Sequence, residues 1–236
     1  MNYPTPELLQ LGQLMCDATQ NVLWPRYRGL VRHATPKAEL SCRPGRGKAT
    51  YHRYHPRERV HLITYGLQMI AAKHDPVGAA GWLSTREIRG RGYFDGEVSV
   101  LNLLAHTCNH EFAHLLQQNA GKRFHGSVHN RHFYGLLDHL NAQGEAEAVR
   151  DYLRDQARSR QLMLPDETLP IIEAPAIPDW QTGDPVSFGS HDTYREGRIR
   201  RINRKTCTVD GTGRWAGTGY RVPFVMLRDV APDPSQ

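Results

Sequence analysis

The sequence predicts an α+β protein in two modules: an α-rich part with a few strands, then a small all-β part. Three observations carry this. Before residue 160 several segments place apolar residues at three- and four-residue steps. Pro165, Pro170, Pro175, Pro178 and Pro185 then impose an extended, non-helical stretch. Short alternating runs separated by glycine and polar turns follow. The boundaries fall at 1–162 for the first module, 163–182 for a proline-rich linker, 183–230 for the second module and 231–236 for a frayed tail.

Composition narrows the class. With 236 residues and 39% hydrophobic content the chain can bury a core, and no apolar run approaches a membrane span. Met1-Asn2-Tyr3-Pro4-Thr5-Pro6 lacks a basic region followed by an apolar stretch, so a cytoplasmic or nucleoid-associated location is expected rather than secretion. Cys16, Cys42, Cys108 and Cys207 are scattered without a C-x-x-C pair, which argues against a disulfide framework and against a cysteine zinc ribbon. Cys16 and Cys108 read as buried helix residues.

In chain order, Leu8, Leu11, Met15, Ala18 and Val22 predict a helix over 6–23, ended by Pro25. Strand-like pieces follow at 38–42, 49–54 and 60–65, with a basic hairpin-like turn at 43–48. That turn is either a solvated loop or a contact for nucleic acid or substrate. Residues 71–96, with Trp82, Arg86, Arg89, Arg91 and several glycines, give no clear period and read as a loop overhanging the cleft. A helix is expected over 98–119, burying Leu101, Leu104, Ala105, Cys108, Phe112, Leu115 and Leu116 as core and turning Thr107, His110, Glu111 and His114 to the other side. Gly121 is its stop. Phe133, Leu136, Leu137 and Leu140 mark another helix, and 144–158 a fourth, with Glu145 and Glu147 as solvated charges.

His110-Glu111-Phe112-Ala113-His114 is the H-E-x-x-H pattern. Side chains four apart share a helix face, so His110 and His114 can put two ring nitrogens on one metal ion. Glu111 sits about 100° round the helix and is placed to take a proton from a water that the ion activates. With 13 histidines in the chain, a chance match is the competing reading, and context must decide. A catalytic zinc needs a third protein ligand, and the stretch from Phe124 to Phe133 holds three histidines, His125, His129 and His132. A metzincin would need glycine at position 117 and histidine at 120, where Gln117 and Ala120 stand.

The combination resembles the SprT-like metallopeptidases, in which H-E-x-x-H is followed by a turn and a third histidine four residues before an aromatic. His129 with Phe133 has that spacing, fifteen residues after His114. His125-Gly126 fits the family's frequent His-Gly pair, but its fourth residue on is His129. The resemblance covers roughly 5 to 140 in layout and 110 to 140 at motif level. It implies a zincin-like core with a small sheet on the active-site helix, Zn²⁺ as cofactor and His129 as third ligand, with His125 and then His132 as alternatives. It further implies a protein substrate, at or crosslinked to DNA. The zinc ribbon that many SprT-like proteins carry is missing here.

Beyond the linker, strands are expected at 185–189, within 196–209 around a turn at Asn203-Arg204-Lys205, at Trp215 and 220–223, and at 225–227. The pattern resembles SH3-like, KOW or Tudor-type barrels. Arg195, Arg198, Arg200, Arg201, Arg204 and Lys205 stand there against one acid, Glu196. With a net charge of +6, DNA or RNA is a candidate partner, and Tyr194, Trp215 and Tyr220 could stack on bases. Equally, one barrel face is simply basic and Trp215 fills the core. Two function classes result: a zinc endopeptidase, or a nucleic-acid-binding adaptor with a structural or vestigial zinc site.

Overall fold

The computed structural model describes residues 6–170, 180–189, 194–203 and 206–230. The chain divides into two compact units, Met1–Pro170 and Ile171–Gln236, the first α+β and the second built on strands.

Helix α1 (Pro6–Ala18) buries Leu11, Leu14, Met15 and Ala18. The expected stop at Pro25 is not found: a π-helical turn over Thr19–Leu23 leads into α2 (Trp24–Ala34). Proline has no N–H and its ring clashes with the carbonyl four residues back. The widened turn lets Pro25 fall in the first turn of α2, where no donor is needed. The Thr19 hydroxyl secures the turn, bonding to the Met15 carbonyl at 2.8 Å and the Tyr65 hydroxyl at 2.6 Å.

Strands β1 (Glu39–Gly45), β2 (Tyr51–His55) and β3 (Val60–Gly66) form a sheet in the order β1-β3-β2. β1 runs parallel to β3 and β2 antiparallel to it, which leaves β2 on an edge. Residues 43–48 therefore close no hairpin, because β3 lies between the strands they join. Alternation puts His52, His61, Ile63 and Tyr65 in the interior and Arg53 and Ser41 outside.

Residues 71–96, expected as a loop, are largely helical: α3 (Leu67–His74), α4 (Pro76–Ala80) and α5 (Leu83–Arg91), then a 3-10 turn at Tyr93–Gly96. Their period was hidden because the inward positions are filled by polar side chains, Lys73, Ser84, Thr85 and Glu87, all buried. Gly92, at φ 72°, ends α5 in the left-handed conformation that glycine adopts without strain.

Helix α6 (Val100–Asn119) starts at Ser99, whose side chain accepts from the Asn102 N–H at 3.0 Å. It packs against β2, α5, α7 (Arg131–Ala142) and α8 (Glu145–Ser159). It is consequently buried on nearly every side, so Thr107, Glu111 and His114 are interior rather than on a solvent face. Phe112 meets Tyr27 edge-on at 5.6 Å between ring centres. Glu145, expected in solvent, is buried and takes the Arg26 guanidinium at 2.6 Å. The first residues of the proline-rich stretch lie along α6: the Leu101 N–H donates to Pro165 O at 3.0 Å and the Leu169 N–H to Val98 O at 2.7 Å. Residues 171–179 of the expected linker lie outside the described residues.

The second unit is an antiparallel sheet of β4 (Pro185–Phe188), β5 (Arg195–Ile202), β6 (Thr206–Gly211), β7 (Gly219–Pro223) and β8 (Arg228–Asp229), ordered β7-β6-β5-β4-β8. Its core is Val186, Phe188, Ile199, Cys207, Val209, Val222 and Leu227. Gly197 is required by contact, since a Cβ there would lie 2.4 Å from the Asp210 carbonyl oxygen. No closed barrel forms among the described residues: the edge strands β7 and β8 do not pair. The strand expected at 225–227 is a 3-10 turn, Phe224–Met226, which carries the chain from β7 to β8 on the opposite edge beside β4. Among the described residues no helix is long and apolar enough to cross a membrane.

Candidate metal centre

His110 and His114 project from one face of α6, and His129 comes from the loop before α7. The structure brings His129 Nε2 to 3.1 Å from His110 Nε2 and 3.2 Å from His114 Nε2. Ligands at 2.0–2.1 Å in a tetrahedral zinc site stand about 3.3 Å apart, so the three nitrogens fit one ion. These three residues form one of two groups among the described residues whose donor atoms could share a metal. His125 and His132 are exposed and join neither group.

Local structure explains the arrangement. Asn130 caps α7 by accepting from the His132 and Phe133 N–H groups, at 3.0 and 3.1 Å, and donates to Lys122 O and Ser127 O. Its neighbour His129 is thereby held over α6. Gln117, fully buried, donates to Val128 O at 2.9 Å and Asn130 Oδ1 at 3.1 Å, while its Oε1 faces His114 Nδ1 at 3.3 Å. That contact assigns the His114 proton to Nδ1 and leaves a lone pair on Nε2 that could serve a metal ion. The Phe133 ring backs all three imidazoles, 4.3 Å from His114, 4.8 Å from His110 and 4.9 Å from His129 between centres.

Electrostatics suit metal ligation. Burial, helped by the neighbouring His110, pushes His114 down to about 3 and lowers His129 as well, so both are held as neutral imidazoles, the form that binds metal. Glu111 lies between His110 and His114 in sequence and is 5% exposed. Burial raises its pKa, opposed by His110, Arg123 and a hydrogen bond from the His52 backbone. Its Oε2 is buried with no hydrogen-bond partner. Arg123, from the turn after α6, is anchored on the same residue of β2: its Nη1 reaches His52 Nδ1 at 2.8 Å and His52 O at 3.1 Å.

On the other side stands Glu87 of α5, whose Oε2 lies 2.9 Å from His110 Nδ1 and 2.8 Å from His106 Nε2. A cleft of about 730 Å³ opens there, lined among others by Arg86, Glu87, Arg91 and Tyr134. Arg91 pairs with both oxygens of Asp138 at 2.9 Å and lies 3.9 Å above the Tyr134 ring centre.

Sequence reasoning singled out neither Glu87 nor Arg123, and named Gln117 only as a departure from another motif. A usable signal was the spacing His106, His110, His114, which stacks three imidazoles along one helix face.

In the second unit Arg198, Arg200 and Arg201 are exposed on β5, with Arg198 donating to Gly183 O at 2.9 Å and Arg200 3.5 Å from Asp210. Arg204 and Lys205 lie outside the described residues. Trp215 is not in the core. Arg195 and Arg214 lie over its ring at 5.2 and 4.7 Å, and Arg195 also over Tyr220 at 5.2 Å. Compared with known proteins, the chain matches no family model, no curated protein and no solved structure.

Proposed function

We propose that the chain is a zinc-dependent endopeptidase of SprT-like type, cleaving peptide bonds in proteins associated with or crosslinked to DNA. The observation that carries this reading is a buried, unpartnered Glu111 oxygen on the helix turn that bears two of three mutually facing imidazole nitrogens. A structural or vestigial site has no use for a general base there, which favours the enzyme over the adaptor.

His110, His114 and His129 would hold the zinc. The chemistry a bound zinc supplies is Lewis acidity toward a peptide carbonyl and toward water. Glu111 takes the proton from the attacking water on its free Oε2 and returns it to the leaving amine. Its raised pKa suits the first step, since burial makes the carboxylate a stronger base toward the water than an exposed one would be.

For the second unit we propose an SH3-like module that grips the phosphate backbone of DNA or RNA through Arg198, Arg200 and Arg201, together with Arg204 and Lys205, which follow closely in sequence. Such a partner fits a cytoplasmic or nucleoid-associated location.

The test is Glu111→Gln in the full chain. Zinc content and fold should persist while digestion of an unfolded or DNA-bound protein substrate stops. Digestion by Glu111→Gln at the wild-type rate would refute the peptidase mechanism.

A further inference from the structure

Glu87 reaches His110 from a separate helix, 23 residues earlier in the chain. A carboxylate has no proton to give, so both nitrogens at its Oε2 must donate: His110 through Nδ1–H and His106 through Nε2–H. His110 is therefore held as the tautomer whose Nε2 carries a lone pair, on the side that faces His129 at 3.1 Å. His106 is fully buried and forms with Glu87 and His110 the second group whose donor atoms could share an ion; its 2.8 Å contact with the Glu87 oxygen is a hydrogen bond that needs no ion to hold it. The other carboxylate oxygen, Oε1, is buried without a partner. No lysine or arginine forms an ion pair with Glu87 among the described residues; its partners are the two imidazoles and the Tyr134 hydroxyl, all uncharged or only partly charged donors. A carboxylate that is 4% exposed, with no lysine or arginine bonded to it among the described residues, lacks a full counter-charge, and such a buried charge is costly. A cation at His110 Nε2, on the far side of the same ring, supplies one.

We infer that Glu87 is a positioning residue for the metal centre: it fixes the His110 tautomer and ring orientation and is the buried counter-charge that raises affinity for a divalent cation. His106 holds the carboxylate in place by donating to the same oxygen. The inference rests on the metal reading proposed above and adds a residue that neither touches the ion nor belongs to the motif. Outer partners of this kind change metal affinity by about 10- to 100-fold when removed.

Two measurements on the full chain test it. In the metal-free protein, ring-nitrogen chemical shifts should show His110 as the Nδ1–H tautomer, and Glu87→Ala should release it to a mixture. An Nε2–H tautomer in the wild type would overturn the inference without any variant having to fold. Competition against a chromophoric chelator should then show zinc affinity falling about 10- to 100-fold in Glu87→Gln, which keeps the shape and removes the charge. His114→Ala serves as the reference. Zinc retained by His114→Ala, or none taken up by the wild type, overturns the metal reading and the affinity part of this inference with it. Loss from His114→Ala beside wild-type affinity in Glu87→Gln overturns the role of Glu87 alone.

Discussion

Lys73 offers a test of the interior that supports α6. Its ammonium nitrogen is fully enclosed, with the Ser84 hydroxyl at 3.0 Å, the Leu103 carbonyl at 3.1 Å and the Thr107 hydroxyl also in contact. Thr107 gives its own proton to Leu103 O at 2.7 Å, so its oxygen accepts from Lys73. Lys73 Nζ donates to all three, and no carboxylate is among these partners to hold the charge. Burial correspondingly pushes Lys73 down from 10.5 to about 7. Between those values the unfolded chain keeps a proton that the folded chain has released, so stability rises with pH; below pH 7 the penalty is fully present. Integrating that difference from pH 7 to 8.5 at 1.36 kcal/mol per unit predicts a gain of roughly 1.6 kcal/mol. Lys73→Met removes the titration, and subtracting its urea-unfolding free energy from that of the wild type at each pH cancels the cysteines and tyrosines. A wild-type-minus-variant difference that stays flat across this range would show that Lys73 is not neutral in the fold, and would refute the reasoning.

The wild type should carry about one zinc per chain, lost in His110→Ala and His129→Ala and kept in His125→Ala and His132→Ala; metal analysis of the purified variants decides. Gln117→Ala should weaken zinc binding by about tenfold in a chelator titration, because it frees His114 Nδ1 and unties the 128–130 loop together. Phe112→Ala should cost about 3–5 kcal/mol of unfolding free energy, as the ring is fully buried against Tyr27. Changing Arg198, Arg200 and Arg201 together to Glu should weaken DNA binding at every sequence alike and flatten its salt dependence by about 0.9 for each phosphate no longer neutralised, with zinc content unchanged. Equal anisotropy titrations for variant and wild type would remove the nucleic-acid reading of the second unit.

Where a feature depends on neighbours in the chain, it is legible in the residues themselves. Four-residue spacing sets His110 and His114 on one helix face, and prolines separate an α-rich stretch from a stranded one. These are consequences of helix pitch and backbone restriction, which need no partner. What required the folded chain is everything that joins distant segments. The π turn that carries the helix past Pro25 and the order β1-β3-β2 depend on packing. So does the all-round burial of α6, because an amphipathic pattern cannot say how many neighbours cover the polar side. Residues 71–96 misled for a related reason: their inward side chains are polar, and only the pairing of Lys73 and Glu87 with groups on α6 makes their burial tolerable. The centre itself divides in the same way. The motif residues are one helix turn apart, whereas His129, Gln117, Arg123 and Glu87 take their places through loop and helix packing, since hydrogen-bond geometry reads distance in space and not along the chain.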